Sequence, residues 1–249
     1  MLIALIGLSS NVSAIQPMTP PEIEMIVPFS GLIGDCQLLV DQFVEDAALC
    51  GIKIIPAYMS WYDGINKLLA GDFDMFYFIG LIGSADDTFD EIYGILSFLF
   101  LGYDFWHYYN PDLVNKINLM NDKYLNGFED EAIDIFHEIE LILYEDQPFI
   151  PICYQLRDPS QRYTRYLFMN CDATGPLADV AIRVALSYLI DRALYAQLYG
   201  EALLQDTVAI NHLFEWSQYH DTSLPDIDYS IGKATKTIVL GGYLPAITN

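Results

Sequence analysis

Basic residues are scarce in this 249-residue chain: 11 lysines and arginines stand against 34 aspartates and glutamates, for a formal net charge of −23. A field of that sign repels phosphate backbones and anionic lipid headgroups, which argues against a nucleic-acid partner. It suits solubility in a salty or extracellular medium, and attraction of cationic ligands is the sharper alternative. Cysteine is sparse too. Cys36, Cys50, Cys153 and Cys171 include no pair at CxxC spacing, which argues against a zinc site. Single buried thiols are the plain reading, with a Cys153–Cys171 bridge as the alternative.

Catalytic signatures are missing as well. The chain has no GxSxG, HExxH, P-loop or GxGxxG motif, so it is read as a non-enzyme without a cofactor. The four histidines, His107, His137, His212 and His220, are scattered, and His212 with His220 is a weak metal pair lacking a third ligand. No internal stretch is long enough to span a bilayer, since the longest apolar run, 92–101, is about half of what a membrane helix needs. Residues 2–8 are apolar and lead to a Val12-Ser13-Ala14 end like a signal-peptidase site, without a preceding basic residue; a signal and a frayed strand are both open.

What the chain does contain is core-forming material. Its hydrophobic content of 53% and aromatic content of 14% are ample for one large domain. Short apolar runs predict strands at about 23–28, 52–58, 74–79, 149–154 and 165–170, buried on both faces. Between them, helices are expected over 36–49, ending at Cys50-Gly51, over 61–70, ending at Gly71, and over 129–144, which opens on Glu129, Asp130 and Glu131. Strand, helix, strand, helix, strand from 23 to 79 makes two βαβ crossovers with parallel neighbours. Residues 175–192 read as one capped helix. Asp179 starts it, with Arg183 on the same face, and Val180, Val184, Tyr188 and Leu189 or Ile190 form the apolar stripe.

The same stretch carries a resemblance. Pro176, Asp179, Arg183, Ala185, Leu186, Tyr188, Ile190, Asp191 and Arg192, preceded by Asn170, are similar to the middle region of extracellular solute-binding proteins of the peptide and nickel type (bacterial family 5). Residues 50–56, Trp61 and the 67–75 run ending Gly71-Asp72-Phe73-Asp74-Met75 resemble a second signature of that family. Residues 109–114 and 143–152 resemble a third. The departures are Leu177 for a phenylalanine and Ala181 for an arginine.

In the family the helix motif precedes the other two, and here it follows them. The resemblance therefore implies a circularly permuted second lobe of periplasmic-binding-protein type II-like α/β fold, with a mainly parallel sheet flanked by helices. Residues 1–19 would be a signal or a disordered terminus, and 20–249 one lobe. Within the lobe, 20–154 is the family's C-terminal half, 155–164 a linker closing two hinge strands, and 165–249 the middle half. Nothing resembles the first lobe. A separate first-lobe chain and an ABC-transporter permease are the implied partners, beside a peptide or other small cationic or amphipathic solute, in an extracellular or periplasmic setting. A truncated or fused gene, and a degenerate structural domain, are the rival readings.

Ligand contacts in open α/β sheets come from loops at the carboxyl ends of strands. The first candidate loop supplies Leu81, Ser84, Asp86 and Asp87, where the family's tryptophan is replaced by Leu81; Asp86 or Asp87 could pair with an amine, or form an exposed acidic turn. The second is the aromatic stretch Phe105, Trp106, His107 and Tyr108, which could cover the apolar body of a solute or pack in the core.

Overall fold

The computed structural model describes residues 18–29, 34–81, 88–102, 106–158, 161–203, 207–209, 212, 214 and 217–244. Strands β1 (Glu22–Phe29), β2 (Lys53–Ser60) and β3 (Met75–Leu81) alternate with helices α1 (Gly34–Leu49) and α2 (Trp61–Ala70). Helices α3 (Phe89–Ser97), α4 (Pro111–Leu125) and α5 (Glu129–Asp146) follow, with a π-helical turn at Phe98–Gly102 after α3. Strands β4 (Phe149–Asp158) and β5 (Gln161–Met169) come next, then α6 (Val180–Ser187), α7 (Arg192–Leu203), β6 (Thr207–Ala209) and α8 (Ile231–Leu240).

The architecture is α/β, with one six-stranded sheet in the order β2-β1-β3-β5-β4-β6 and helices on both faces. Strand alternation decides which side chain goes where. Met25, Val27, Met75, Tyr77, Leu167 and Met169 pack on one face with α1, α6 and α8. Ile26, Phe76, Tyr166 and Phe168 pack on the other with α2 to α5.

The sheet is mixed, which corrects the expectation of a mainly parallel one. β1 runs parallel to β2 and β3, whereas the pairings β3–β5, β5–β4 and β4–β6 are antiparallel. The reason lies in connection length. Parallel neighbours need a long crossover, while β4 and β5 are separated only by residues 159–160 and can pair only as a hairpin. Most of the 155–164 stretch, read from sequence as a linker, is thus strand backbone.

The stretch 175–192 is also not one helix. α6 ends at Ser187, and Asp191 starts α7 by accepting the Leu194 amide at 2.9 Å. The break is held from outside: the Ser230 amide donates to the Tyr188 carbonyl at 2.8 Å, and Arg192 donates to the carbonyls of Pro151 and Ile227. Asp179 does cap α6, through the Ala181 amide at 2.8 Å. The buried stripe, however, is Ile182, Ala185, Leu186, Leu189 and Ile190, while Val180 is exposed and Val184 and Tyr188 are half-buried.

Cys50 and Cys171 are free thiols, so no Cys153–Cys171 bridge forms. Cys153 pairs in register with Arg165, four residues before Met169, and a strand advances about 13 Å over that distance, far beyond disulfide reach.

The close of α8 sits hard against α6. A Cβ placed on Gly241 would lie 2.7 Å from the Ala181 Cβ, while its φ of −71° suits any residue. Gly241→Ala is therefore expected to lower stability by about 1–3 kcal/mol through overpacking. Urea denaturation of Gly241→Ala with Ala181→Gly checks the cause, because the pair should recover most of the loss.

Candidate functional site

Strand order reverses at β1: the first crossover runs from β1 to β2, and the second returns past β1 to β3. α1 covers one face and α2 the other, so the topological switch point of this sheet lies at the carboxyl ends of β1 and β3. Leu81 ends β3 there, in backbone register with Tyr163. Ser84, Asp86 and Asp87, together with Phe105, lie outside the described residues. Among the described residues, Trp61 and Tyr62, at the start of α2 just beyond β2, are the exposed aromatics near this edge, with the Trp61 ring 5.9 Å from that of Phe78.

The aromatic stretch divides between core and surface. Trp106 is buried at 3% exposure and stacks on Phe168 with ring centroids 5.0 Å apart. Tyr108 donates its hydroxyl to Asp146 Oδ2 at 2.6 Å, and burial first, then that carboxylate, pushes its phenol well above the ordinary range. His107, at φ 49°, is exposed and lies 3.0 Å through Nδ1 from Asn170 Oδ1. A left-handed backbone at a non-glycine residue is uncommon and marks a position held by its surroundings.

His107 opens onto a cleft of about 350 Å³, in the range of small-molecule sites, which lies at the amino ends of β1 and β3 and not at the carboxyl ends where the sequence reading placed the aromatic loop. Among the described residues, four carboxylates, of Glu24, Asp72, Asp74 and Asp172, line it against the single cation Lys67. The positions are set locally. Gly71 closes α2 in the left-handed conformation at φ 68°, turning the chain so that Asp72, Phe73 and Asp74 enter β3. Asp74 Oδ2 accepts the Glu24 amide at 2.8 Å, which ties the start of β3 to β1. Lys67 bridges Asp72 at 3.2 Å and Glu24 at 3.6 Å.

Asn170 binds the pieces together. Its Nδ2 donates to the carbonyls of Gly71 and Phe73 at 3.1 and 2.8 Å, and its Oδ1 accepts the Asp172 amide at 3.1 Å. Its own amide donates to the Asp74 carbonyl at 2.8 Å. Burial pushes the Asp74 carboxyl above its usual range, partly offset by the Glu24 amide and reinforced by the charges of Glu24 and Asp72. Hydrogen bonds from the Thr174 hydroxyl and amide pull the half-buried Asp172 below it. Chemically, the cleft offers an anionic wall at two depths, with one carboxyl easily neutralised by a proton and one that stays charged.

Sequence reasoning singled out His107 but missed Glu24, Lys67, Asp72, Asp74 and Asp172 as site residues. The Gly71–Asp74 turn was visible as a motif, yet its neighbours across the cleft lie up to about a hundred positions away.

His212 and His220 do meet, with ring centroids 5.2 Å apart, and His220 Nδ1 lies 2.6 Å from Glu140 Oε1. Among the described residues no group of three or more His, Cys, Asp or Glu is arranged to hold a metal ion, and no helix is long and apolar enough to cross a membrane. No protein family, curated protein or solved structure matches this chain.

Proposed function

We propose that this chain is a noncovalent solute-binding lobe related to the peptide- and nickel-type receptors, and that it takes a small cationic or amphipathic solute in the cleft at Asp72, Asp74 and Asp172. The observation that carries the reading is the cleft itself, about 350 Å³ of space in which four carboxylates face one lysine. It is lined from the Gly71–Asp74 motif, from His107 of the aromatic stretch and from Asn170 and Gly175, at the start of the resembling helix region. Two features support a permuted order. β4 and β5, the strands that would serve as hinges, are neighbours in one hairpin. The segment entering β1 lies beside the segment leaving α8, with Met18 donating to the Gly242 carbonyl at 3.0 Å and accepting the Leu244 amide at 2.9 Å.

A second reading, a structural or interaction domain of the same fold, is favoured by the bonding of Asn170. Its side chain is engaged with protein groups, so this motif residue is accounted for without any ligand.

Calorimetry with spermidine, lysine-containing dipeptides and nickel separates the two. Saturable binding is expected for at least one cationic organic solute, weakened about tenfold or more in Asp72→Asn/Asp172→Asn, which is about 1.4 kcal/mol. Binding should also fade on acidification above the pH at which ordinary carboxylates titrate, because Asp74 takes up its proton early. Asp74→Asn should remove that early acid limb. A flat response in every titration would sink the capture reading and leave the structural one.

A further inference from the structure

Away from the cleft, α5 carries a second cluster of titratable groups. Glu140, 4% exposed, uses both oxygens on residues beyond α7: Oε1 lies 2.6 Å from His220 Nδ1, and Oε2 accepts the Asp221 amide at 2.8 Å. One turn earlier on α5, His137 Nε2 bonds the Tyr219 carbonyl at 2.9 Å. Three bonds from one helix thus fasten residues 219–221. Beside them His212, 7% exposed, sets its ring 5.2 Å from that of His220 and 5.5 Å from that of Tyr144. His212 Nε2 and Gln147 Oε1 are both buried without a hydrogen-bond partner, and both residues line a pocket of about 20 Å³, the size of one water molecule. Gln147 holds a left-handed backbone at φ 44° as it closes α5.

We propose that His212, His220 and Glu140 form an acid-operated latch, which fastens the segment 217–227 to α5 and releases it when His212 gains a proton. The geometry sets the direction. A proton on His212 would place a positive ring against His220, itself held by Glu140, with the Arg192 guanidinium adding to the repulsion. Asp221 and Asp226 oppose this, and Tyr144 on α5, whose phenol burial pushes up, stays uncharged. The balance disfavours the charged form: burial first, then His220, holds His212 down to about 4 from its usual 6.5.

For a base depressed in the folded state, the latch is at full strength above pH 6.5 and weakens as pH falls from there toward about 4. The rest of the molecule moves the other way, because protonation of carboxylates relieves a net charge of −23. Release would uncover apolar surface now capped by the edge-on ring of Tyr219, 5.5 Å from that of Phe89. The latch does not depend on the solute-binding reading.

The test is hydrogen–deuterium exchange on the full chain at pH 7 and pH 4.5, corrected for intrinsic rates, alongside binding of an apolar dye. Wild type should lose protection across 217–227 by on the order of a hundredfold at the lower pH, while β1 and β3 keep theirs, and dye binding should rise. His212→Gln, neutral at both values, should lose less than a few-fold. Equal acid loss in His212→Gln and wild type would overturn the latch, as would full protection of wild-type 217–227 at pH 4.5. Should His212→Gln fold poorly, an NMR titration of the wild-type histidines decides. A His212 that titrates near 6.5, or one whose titration leaves 217–227 protected, overturns it equally.

Discussion

Arg183→Met is expected to destabilise the protein by about 3–5 kcal/mol, the largest effect of any single substitution considered. Arg183 is 5% exposed, and its guanidinium donates to three backbone carbonyls: Nε to Asp146 at 2.8 Å, and Nη1 to Leu177 at 2.8 Å and Ala178 at 2.9 Å. Methionine fills similar space but leaves three carbonyls without their donors, each at a cost of about 1–3 kcal/mol when buried. Position sharpens the effect, because the Asp146 carbonyl ends α5 and a cation there also meets the negative end of the helix dipole. Arg183→Lys keeps the charge without the planar fork and should fall between the two. Chemical denaturation with an unchanged slope measures the loss, and a change below about 1 kcal/mol would contradict this role for Arg183.

Asn170→Ala ranks second, at about 2–4 kcal/mol together with loss of the solute binding proposed for the cleft. The substitution removes a donor that spans the Gly71 and Phe73 carbonyls and an acceptor used by the Asp172 amide and faced by His107. The Asp74 carbonyl keeps its bond to the Asn170 main chain, so the turn loosens without coming free. Asn170→Asp is the informative companion. It has the same shape, but it turns the donating end toward two carbonyls as a carboxylate oxygen, so it should be no better than alanine. Thermal denaturation and calorimetry on both variants read the two parts separately. If Asn170→Asp behaved as wild type, the hydrogen-bond directions assigned to this side chain would be wrong.

Both residues were conspicuous in the sequence for reasons that differ from what they do. Arg183 stood out as an arginine on the same helix face as a capping aspartate four positions earlier, yet Asp179 gives its oxygens to the Ala181 amide and the Tyr243 hydroxyl. Asn170 stood out as part of a family-like pattern, and its partners at Gly71, Phe73 and His107 come from other elements. The carbonyls they serve carry no side-chain signature, so no pattern of residue types reveals them.

Elements whose signals are local were legible to within a few residues. α2 starts at Ser60, whose hydroxyl accepts the Asp63 amide, and stops at Gly71 in the left-handed conformation, the stop being read from the glycine itself. β1 and β3 were marked by short apolar runs because the sheet buries both of their faces. The two crossovers followed from the alternation of such elements. The sequence by itself thus determined an α/β chain with β1, β2 and β3 parallel and a strongly acidic net charge. Tertiary structure alone decided the antiparallel half of the sheet, the break between α6 and α7, the assembly of the cleft and the meeting of His212 with His220. Periodicity and capping act within a few residues of chain, whereas each of these outcomes rests on hydrogen bonds and ring contacts between distant segments, which only the folded chain brings within reach.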